Sequence, residues 1–569
     1  MSLFNKIWKS KLWLLITIVI LIAVNWLASL YHTRIDFTNE KRFTLSTPTK
    51  KVLQKLDDVV QVDVFLKGNF PSGFKKLANS TNELLSEFKE IAGNKLQYRF
   101  ISPDENVEST NIPWADSLNS MGISPLIVNA QIKSGEQQLK VFPIALASYK
   151  GSVYLINLYE GNNVNLTASE INSAEALLEY TFTKAIYQVT AKSKPMIAYS
   201  VGNGEAVGPE SFDLRSELQY EDTLFMLNLN KVKFIPDTFN LLLVVKPILE
   251  FSDAELLKID QYVMRGGKLL IFVDKLNAEM DSLKIKNEVI AYDRELGLDN
   301  LLFKYGTRIK PELLMDLQCD RLPFDINGDG QFKLLPWNYF PLFQSSANHV
   351  INKNLGFVNS RFVNSIDTSI EVEGILKTVL LQTSSKSRSI GTPALISGKE
   401  NVLEPESEKY NRQGIPAAVL LEGKFTSLFK NRVSQSQLDS LNYFGYNYFS
   451  ECLKPNKMIV VADGDIVLNS FYKDQPLPMG VNAYSMVNGR QTFPVANRAF
   501  LQNCVEFLIN DNGLIEAKSK DYTLRFLDPE KVEAQKTTWQ LINILAPVIM
   551  IILFALLYQF IRRRKYTVI

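Results

Sequence analysis

Residues 241–273 read LLLVVKPILEFSDAELLKIDQYVMRGGKLLIFV, and this stretch decides the fold class of the chain. It begins and ends with a short apolar run, which is typical of strands buried on both faces of a parallel sheet. Between the runs, Ser252 and Glu255 have capping-box spacing, and apolar side chains recur at helical intervals over residues 256–263. Gly266-Gly267 then ends the helix. This strand, helix, strand order predicts an α/β domain with a parallel sheet.

Further apolar runs extend this domain in both directions along the chain. Residues 196–201 (MIAYSV) predict a strand before it, and residues 458–461 (MIVV) predict a strand after it, followed by a helix at residues 498–509. The intervening residues 276–450 are then an insertion or a further lobe. We therefore expect a Rossmann-like domain with an insertion.

A smaller α/β domain is predicted nearer the N-terminus. Thr47-Pro48 supplies an N-cap residue and then proline at the first helical position. The elements expected next are a strand, a helix, a strand and two late strands, at residues 60–65, 74–91, 96–101, 126–130 and 153–158. This order suggests a thioredoxin-like domain, but without the C-x-x-C pair of an oxidoreductase. Thr167 and Glu170 have capping-box spacing, so a linking helix is expected to begin there.

Each end of the chain carries an apolar stretch long enough to cross a bilayer. Residues 12–31 hold twenty residues without a charge, preceded by Lys6, Lys9 and Lys11. The second stretch, residues 539–561, is followed by the basic cluster RRRK at residues 562–565. Basic residues beside membrane helices favour the cytoplasmic side, so both chain ends are predicted to be cytoplasmic.

An even number of crossings places the bulk of the chain in the periplasm, anchored in the cell inner membrane. The alternative is a soluble protein with two buried core helices. The predicted segments are a cytoplasmic N-terminus (1–11), a transmembrane helix (12–31), the small α/β domain (32–165), the first part of the parallel-sheet domain (166–275), the insertion or lobe (276–450), the return to that domain with a membrane-proximal segment (451–538), a transmembrane helix (539–561) and a basic tail (562–569).

Both anchors contain groups that are unfavourable in lipid. Asn25 lies in the first anchor, and Asn543, Pro547 and Gln559 lie in the second. Polar residues at membrane depth usually face another helix, so these residues are candidate contacts with a polytopic membrane partner. The anchors could instead satisfy each other, and Gln559 could reach the membrane interface from its position near the helix end.

Composition excludes several classes of function. The 569 residues carry a formal net charge of +2, so no overall field attracts nucleic acid. The three cysteines, Cys319, Cys452 and Cys504, are far apart and form no zinc or disulfide pattern. We expect buried free thiols, with a bridge between Cys452 and Cys504 as the alternative.

The sequence contains few motifs that carry chemistry. The two histidines, His32 and His349, are far apart, which argues against a catalytic triad or a multi-histidine metal site. The G-x-S-x-G, H-E-x-x-H and P-loop patterns are absent. We therefore expect no catalytic residue, no metal and no cofactor.

Two weak ligand-binding signals remain, both following predicted strands. Gly202, Gly204 and Gly208 could cradle a phosphate, although their spacing departs from the dinucleotide fingerprint. Asp463 and Asp465 follow the strand at residues 458–461, where α/β sheets place ligands. The competing interpretation of both signals is an ordinary strand-to-loop turn.

The chain resembles the GldG family of gliding-motility-associated ABC-transporter auxiliary proteins of Bacteroidota. The resemblance rests on RIDFT (34–38), KRFTLS (41–46), IDQYVMRGGK (259–268), PWNYFP (336–341), ADGD (462–465), WQLIN (539–543) and RRRKY (562–566). It implies an auxiliary, substrate-binding-like subunit that accompanies a membrane permease and a cytoplasmic ATPase in gliding and a linked secretion system. It also implies that the central region is a degenerate glutamine-amidotransferase-type domain. The cysteines lie outside any strand-to-helix nucleophile elbow, so no amidotransferase activity is implied.

Three functions remain open from the sequence. The leading one is a non-catalytic subunit that docks on an ABC permease through its anchors. The second is an anchored hydrolase of envelope glycans that uses acidic residues. The third is a periplasmic ligand-binding lobe, which requires a deep cleft with convergent polar groups.

Overall fold

The computed structural model describes residues 17–25, 44–68, 70–108, 110–132, 135–159, 168–280, 283, 288–325, 329–344, 349–353, 355–397, 407–486, 495–510, 512–519 and 529–566. The chain divides into two compact units, Met1–Lys520 and Asp521–Ile569.

Between residues 44 and 190, the part of the chain that the structure describes contains four α-helices and six strands. They are α1 (Thr47–Gln54), β1 (Val60–Val64), α2 (Ser72–Ala92), β2 (Leu96–Phe100), α3 (Trp114–Ser120), β3 (Leu126–Ile132), β4 (Gly135–Val141), β5 (Ile144–Tyr149), β6 (Ser152–Asn157) and α4 (Ala168–Thr190). Four strands form a sheet in the order β2-β1-β5-β6, in which β1 and β2 are parallel and β5 is antiparallel to β1. The strands β3 and β4 pair with each other as a separate antiparallel hairpin.

Alternation of apolar and polar residues explains this sheet. The strand β1 reads VQVDV, and Val60, Val62 and Val64 are fully buried beneath α1, α2 and α4. One boundary differs from the prediction, because the N-cap of α1 is Ser46 and its hydroxyl accepts from the amide of Thr49. The capping prediction at Thr167 lies outside the described residues.

The remaining elements of the first unit span residues 196–509. They begin with β7 (Met196–Val201), α5 (Phe212–Glu221), β8 (Thr223–Asn228), β9 (Leu241–Val245), α6 (Asp253–Met264), β10 (Lys268–Phe272), β11 (Leu276–Asn277), β12 (Glu288–Asp293), α7 (Asp299–Tyr305), β13 (Arg308–Asp316), β14 (Cys319–Asp325) and β15 (Phe332–Phe343). They continue with β16 (Val358–Asn359), β17 (Asn364–Asp367), β18 (Ile375–Gln382), β19 (Ser387–Gly391), β20 (Ala394–Ser397), β21 (Pro416–Gly423), α8 (Gln435–Tyr443), β22 (Asn456–Val461), β23 (Phe471–Tyr472), β24 (Gln475–Pro476) and α9 (Asn497–Ile509).

Seven of these strands form the main sheet, in the order β18-β21-β22-β10-β9-β7-β8. The strands β22, β10, β9, β7 and β8 are mutually parallel, and β21 and β18 extend the sheet in antiparallel pairing. The parallel strands thus have the order 2-1-3-4-5 when they are numbered along the chain. Two strands from the predicted insertion, β18 and β21, belong to this sheet.

The stretch at residues 241–273 folds as its pattern predicts. Every residue of β9 is buried, and Ser252 and Glu255 form a complete capping box at the start of α6. Gly267 follows the helix because a Cβ there would lie 2.3 Å from the Tyr262 ring carbon Cζ. The apolar faces of α5 and α9 pack on one side of the sheet, and α6 and α7 pack on the other.

The cysteines are free and buried, as the sequence analysis predicted. Cys504 packs in the cluster with α5 and α9, whereas Cys452 packs in the cluster with α6. Because the main sheet separates these clusters, the alternative of a bridge between Cys452 and Cys504 is wrong.

The second unit contains α10 (Pro529–Tyr566), which includes an apolar stretch at Thr538–Arg564. These 27 residues would span about 40 Å as a helix, enough for a bilayer core of about 30 Å. It is the one stretch of this kind within the described residues. The first predicted anchor lies largely outside them, although residues 17–25 are helical and exposed.

Candidate functional site

The candidate site lies at the carboxyl edge of the parallel strands of the main sheet. The loops after β7, β9, β10 and β22 converge there, and β7 and β9 are neighbours although β8 lies between them along the chain. The connections leave in opposite directions at this pair, which is the topological switch point of the sheet. Open α/β sheets bind ligands outside the carboxyl ends of their strands at such a point.

The loop after β9 places a lysine at the centre of three carboxylates. Lys246 directly follows β9 and has a positive φ of 49°. Its ammonium lies 2.7 Å from Asp465 Oδ1, 3.2 Å from Asp274 Oδ2 and 3.3 Å from Glu279 Oε2. The side chain of Lys246 is 11% exposed. A buried ammonium of this kind is stable only when carboxylates surround it.

The loop after β22 supplies one of the three carboxylates around this lysine, Asp465, and a second acid, Asp463, that holds the backbone in place. The carboxylate of Asp463 accepts from the amides of Asp465 at 2.7 Å and Arg361 at 2.8 Å. Between the two acids, the Gly464 amide donates to the Asp274 carboxylate. A Cβ at Gly464 would lie 2.7 Å from the Cβ of Lys246, so glycine permits this close approach.

Burial and neighbouring charge give the two aspartates opposite pKa shifts. Burial, followed by the charges of Asp274 and Asp465, raises the pKa of Asp463 well above its usual value. Burial also acts to raise the pKa of Asp465, but Lys246 and then Arg361 lower it below its usual value. Asp465 is therefore the ionised partner of Lys246.

The lysine itself is held in its charged form. Burial acts to lower the pKa of Lys246, but the surrounding carboxylates, with Asp465 first among them, hold it well above its usual value. Burial raises the pKa of Asp274 and of Glu279, with Lys246 acting in the opposite direction in both cases. The cluster thus contains more carboxylate than the one ammonium neutralises.

Three of these acids have the spacing of possible metal ligands. Carboxylate oxygens of Asp274, Asp463 and Asp465 lie within 4.8 Å of one another. However, the ammonium of Lys246 already contacts Asp274 and Asp465, and the oxygens of Asp463 accept from backbone amides. Each of the three acids therefore already has a donor within the protein.

The loop after β7 forms another wall of the site. Gly204 has a φ of +75°, and a Cβ there would lie 2.3 Å from Ile248 Cγ1. The next residue, Glu205, accepts from the Ser200 hydroxyl at 2.6 Å and from the Asn203 amide at 2.7 Å. The loop therefore turns sharply across the sheet edge and is fixed by a buried carboxylate.

These loops enclose a cavity of about 570 Å³, which we call the edge cavity. Its lining includes Gly204, Glu205, Glu210, Lys246, Ile248, Glu279, Met280, Arg361, Asp465, Ser470, Phe471 and Tyr484. The cavity brings together Gly204 and Asp465, which the sequence analysis had selected from distant segments. Gly202 and Asp463 are outside its lining, and Asp463 is instead a buried support for the loop.

Lys246, Asp274, Glu279 and Arg361 were missed by the sequence analysis. Lys246 and Asp274 each follow a predicted buried strand within two residues, as Asp463 does. The rule that selected Asp463 could therefore have found both. Glu279 and Arg361 have no such signal, because only the fold of the insertion brings them to the sheet edge.

The other predicted contact residues belong to other segments of the chain. Asn543, Pro547 and Gln559 are exposed on α10 in the second unit. Asn25 is at the end of the described helical segment at residues 17–25 and is also exposed.

The buried cysteines are poor nucleophiles. Burial raises the pKa of Cys319 to about 12 and of Cys452 to about 11, and it raises the pKa of Cys504 well above its usual value. A thiol reacts as its thiolate, so these groups are inert at neutral pH. The residues at the sheet edge, in contrast, are suited to binding a ligand and to holding the loops together.

A doubly wound α/β core with a polar cavity at its carboxyl edge defines the class of protein. Residues 194–504 match the family described as an ABC-type uncharacterized transport system, in its auxiliary component, and the chain belongs to this family. Residues 39–148 match a domain of unknown function, DUF7088. The chain is therefore an auxiliary protein of an ABC-type transport system.

Two relatives illustrate what the chain is similar to. An uncharacterized protein of Borreliella burgdorferi is 21% identical over 432 residues, which cover 74% of this chain and 78% of the relative. The solved structure of the mmIFT52 N-terminal domain has 12% identity and a TM-score of 0.31, and the match covers 56% of this chain and 98% of that domain.

Proposed function

We propose that this chain is a non-catalytic auxiliary subunit of an ABC transporter complex, bound to a permease in the membrane and through it to a cytoplasmic ATPase. Membership of the transport-system family is the observation that carries this proposal. The apolar stretch of α10 supports it, because a helix of this length and composition can sit beside a permease in the bilayer.

The proposal includes a specific membrane arrangement. Both chain ends lie in the cytoplasm, the two anchors span the inner membrane, and the bulk of the chain lies in the periplasm. The basic residues at 562–565 directly after the apolar stretch support a cytoplasmic C-terminus. The lysines at positions 6, 9 and 11 support the same location for the N-terminus.

The resemblance to the GldG family extends the proposal to gliding motility and its linked secretion in a member of the Bacteroidota. It is also the basis for assigning a degenerate amidotransferase or Rossmann-like fold to the main sheet. The strand order 2-1-3-4-5 supports that assignment. A thioredoxin-like assignment for the N-terminal sheet, within residues 32–165, is supported by its order β2-β1-β5-β6.

Copurification tests the proposed complex. The full chain carries an affinity tag and is extracted from its native membrane in a mild detergent, and copurifying proteins are quantified by mass spectrometry. We expect a permease and an ABC ATPase in stoichiometric amounts. A matched preparation that lacks residues 539–569 controls for contacts made by the second unit.

Recovery of the chain without a permease or an ATPase, in several detergents and after crosslinking in intact cells, would contradict the proposal. Recovery of both partners with the truncated chain would support the proposed complex but would place recognition of the permease in the first unit.

A periplasmic ligand-binding lobe is a second candidate function, favoured by the edge cavity. Its volume of about 570 Å³ and its convergent polar groups are those of a small-molecule site. This role is compatible with a place in the transporter complex.

A further inference from the structure

We propose that the edge cavity binds a small organic ligand that carries a positively charged amino group, held between the carboxylates of Glu210 and Glu279 and the apolar surface of Ile248, Met280 and Phe471. All five residues line the cavity. The inference concerns the chemistry of this cavity and holds whether or not the chain assembles with a permease.

The size and position of the cavity point to a ligand of modest size. Ligand pockets in proteins typically measure about 300–1,000 Å³, and the edge cavity falls within this range at about 570 Å³. It opens at the switch point between β7 and β9. Three separate loops and the insertion contribute to its walls, which is how α/β proteins surround a bound small molecule.

The charges around the cavity favour a cation over an anion. Its lining contains four carboxylates and two basic groups, contributed by Glu205, Glu210, Glu279, Asp465, Lys246 and Arg361. The ammonium of Lys246 already contacts three carboxylates. The guanidinium of Arg361 donates to the Ser470 hydroxyl and lies 5.6 Å from the centre of the Phe340 ring. Both basic groups are therefore engaged, and the excess charge of the cavity is negative.

Two of the four carboxylates, those of Glu210 and Glu279, have remaining capacity to accept a hydrogen bond from a ligand. Glu205 is buried and uses both oxygens on Ser200 and Asn203. Glu279 is 41% exposed, with Oε2 at 3.3 Å from the Lys246 ammonium and Oε1 at 3.8 Å from the Arg294 guanidinium, too long for a hydrogen bond. Glu210 accepts through Oε1 from the Gly208 amide at 2.9 Å, which leaves Oε2 for a further donor. Both side chains line the edge cavity, where each can accept from a bound ammonium.

The electrostatic state of the cluster agrees with this geometry. Burial raises the pKa of Glu279 even though Lys246 lies beside it, and the charges of Asp465 and Asp274 add to the effect. An ammonium bound against Glu279 would reverse part of this shift, because an opposite charge stabilises the ionised carboxylate.

Apolar side chains provide a place for the body of the ligand. Ile248 is 52% exposed and Phe471 is 41% exposed, although both face the lining of a concave site. Apolar surface next to carboxylates matches an amine whose charged group is attached to a hydrocarbon or aromatic body. An aromatic ring such as that of Phe471 also attracts a cation over its face.

A bare metal ion is a poorer match than an amine. The three acids with metal-ligand spacing, Asp274, Asp463 and Asp465, already hold the Lys246 ammonium and backbone amides. The two carboxylates that remain available, Glu210 and Glu279, lie outside that group of three. An ammonium with an apolar body uses both the carboxylates and the apolar wall, whereas a metal ion uses only the former.

Three probes with one aromatic body and different charges test the proposal. The purified full chain in mild detergent is titrated with phenethylamine, 2-phenylethanol and phenylacetate by isothermal titration calorimetry near neutral pH. We expect phenethylamine to bind at least about tenfold more tightly than the other two, a difference that one charged contact can supply. Glu279→Gln and Glu210→Gln should each weaken amine binding by about tenfold. Glu83→Gln, which changes an exposed glutamate on α2, should leave it unchanged.

Equal or tighter binding of the alcohol or the carboxylate would overturn the proposal, as would no binding of any probe at millimolar concentration. Amine binding that survives both cavity substitutions would also overturn it. Displacement of the amine by magnesium or calcium chloride, together with direct binding of that metal, would replace it with a metal site. Thermal unfolding of each variant confirms that it is folded. Failure here leaves the permease complex untouched, because copurification measures that association separately.

Discussion

The ammonium of Lys246 lies 2.7 Å from Asp465 Oδ1, although 219 positions separate the two residues in the sequence. Their contact joins the end of β9 to the loop after β22, across the intervening strand β10. The insertion lies between β10 and β22 along the chain, so this contact closes a loop that contains the whole insertion. The ion pair therefore depends on the order of β9, β10 and β22 in the sheet. It also joins two of the loops that line the edge cavity.

Removal of the lysine should destabilise the first unit strongly. In Lys246→Met the carboxylates of Asp274, Asp465 and Glu279 lose their shared counter-ion, and removal of one partner of a buried ion pair costs roughly 3–5 kcal/mol. Urea unfolding at pH 7 measures the loss. The loss should shrink at lower pH, because protonation relieves the repulsion between the carboxylates. Lys430→Met, at an exposed lysine, is the control, and an equal effect of both substitutions would contradict the prediction.

Asp222 should make the protein less stable as the pH rises towards neutrality. Burial, followed by the charge of Glu221, raises the pKa of Asp222 from 3.8 to about 7 in the folded protein. Between these two values the folded state binds more protons than the unfolded state, so the free energy of unfolding falls as the pH rises. The contribution of the protonated Asp222 carboxyl to the free energy of unfolding is fully present below about pH 4 and is lost above about pH 7.

Asp222→Asn should therefore unfold less readily than the native chain at pH 8, by an amount on the order of a few kcal/mol. The advantage should disappear near pH 4, and thermal unfolding at several pH values measures both effects. Asp104→Asn, at an exposed aspartate, should show no such trend. A native pH profile that Asp222→Asn does not change would show that this carboxyl titrates normally.

Alanine substitutions at two glycines with similar φ angles should distinguish the cost of backbone strain from the cost of side-chain crowding. Gly204 has a φ of +75° and its Cβ position is 2.3 Å from Ile248 Cγ1, whereas Gly151 has a φ of +87° with open space around it. Alanine at either position should cost about 1–2 kcal/mol of backbone strain. Gly204→Ala should cost about 1–3 kcal/mol more, because the Ile248 side chain must move. Equal losses in denaturant unfolding would show that Ile248 moves without cost.

All three cysteines should react only after unfolding. Their burial and raised pKa values suppress the thiolate that attacks an alkylating reagent. Iodoacetamide should leave the native chain unmodified at pH 7.5 and label all three positions in urea without a reductant. Mass spectrometry of tryptic peptides counts the modified sites. A bridged Cys452–Cys504 peptide would be inconsistent with their location on opposite sides of the main sheet.

The polar side chains of α10 should contribute to recognition of a membrane partner. Asn543 and Gln559 carry amides, and Pro547 leaves the carbonyl of Asn543 without its helical donor. A polar contact between membrane helices contributes roughly 0.6–2 kcal/mol. Asn543→Leu combined with Gln559→Leu should keep the chain in the membrane but reduce capture of the permease. Ile544→Leu with Leu557→Ile is the apolar control, and undiminished capture by the polar double variant would place recognition elsewhere.

The sequence by itself determined four of the seven strands of the main sheet, which are β7, β9, β10 and β22. The apolar runs at 196–201 and 241–245 match β7 and β9 residue for residue, and the capping box of Ser252 and Glu255 starts α6 as predicted. These signals are local, because strand burial and helix capping depend on residues a few positions apart. The free state of the cysteines was predictable for the same reason, since their spacing shows no pairing pattern.

Only the tertiary structure decided which residues form the site. The sequence selected Gly204 and Asp465 separately, and the parallel register of β7, β9, β10 and β22 brought them to one cavity. The position of Lys246 directly after β9 was a local signal, but the acids that stabilise its charge follow other strands. The location of Glu279 depends on the path of the chain beyond β10. Long-range pairing therefore sets the charge and shape of the cavity, which no short stretch of the sequence contains.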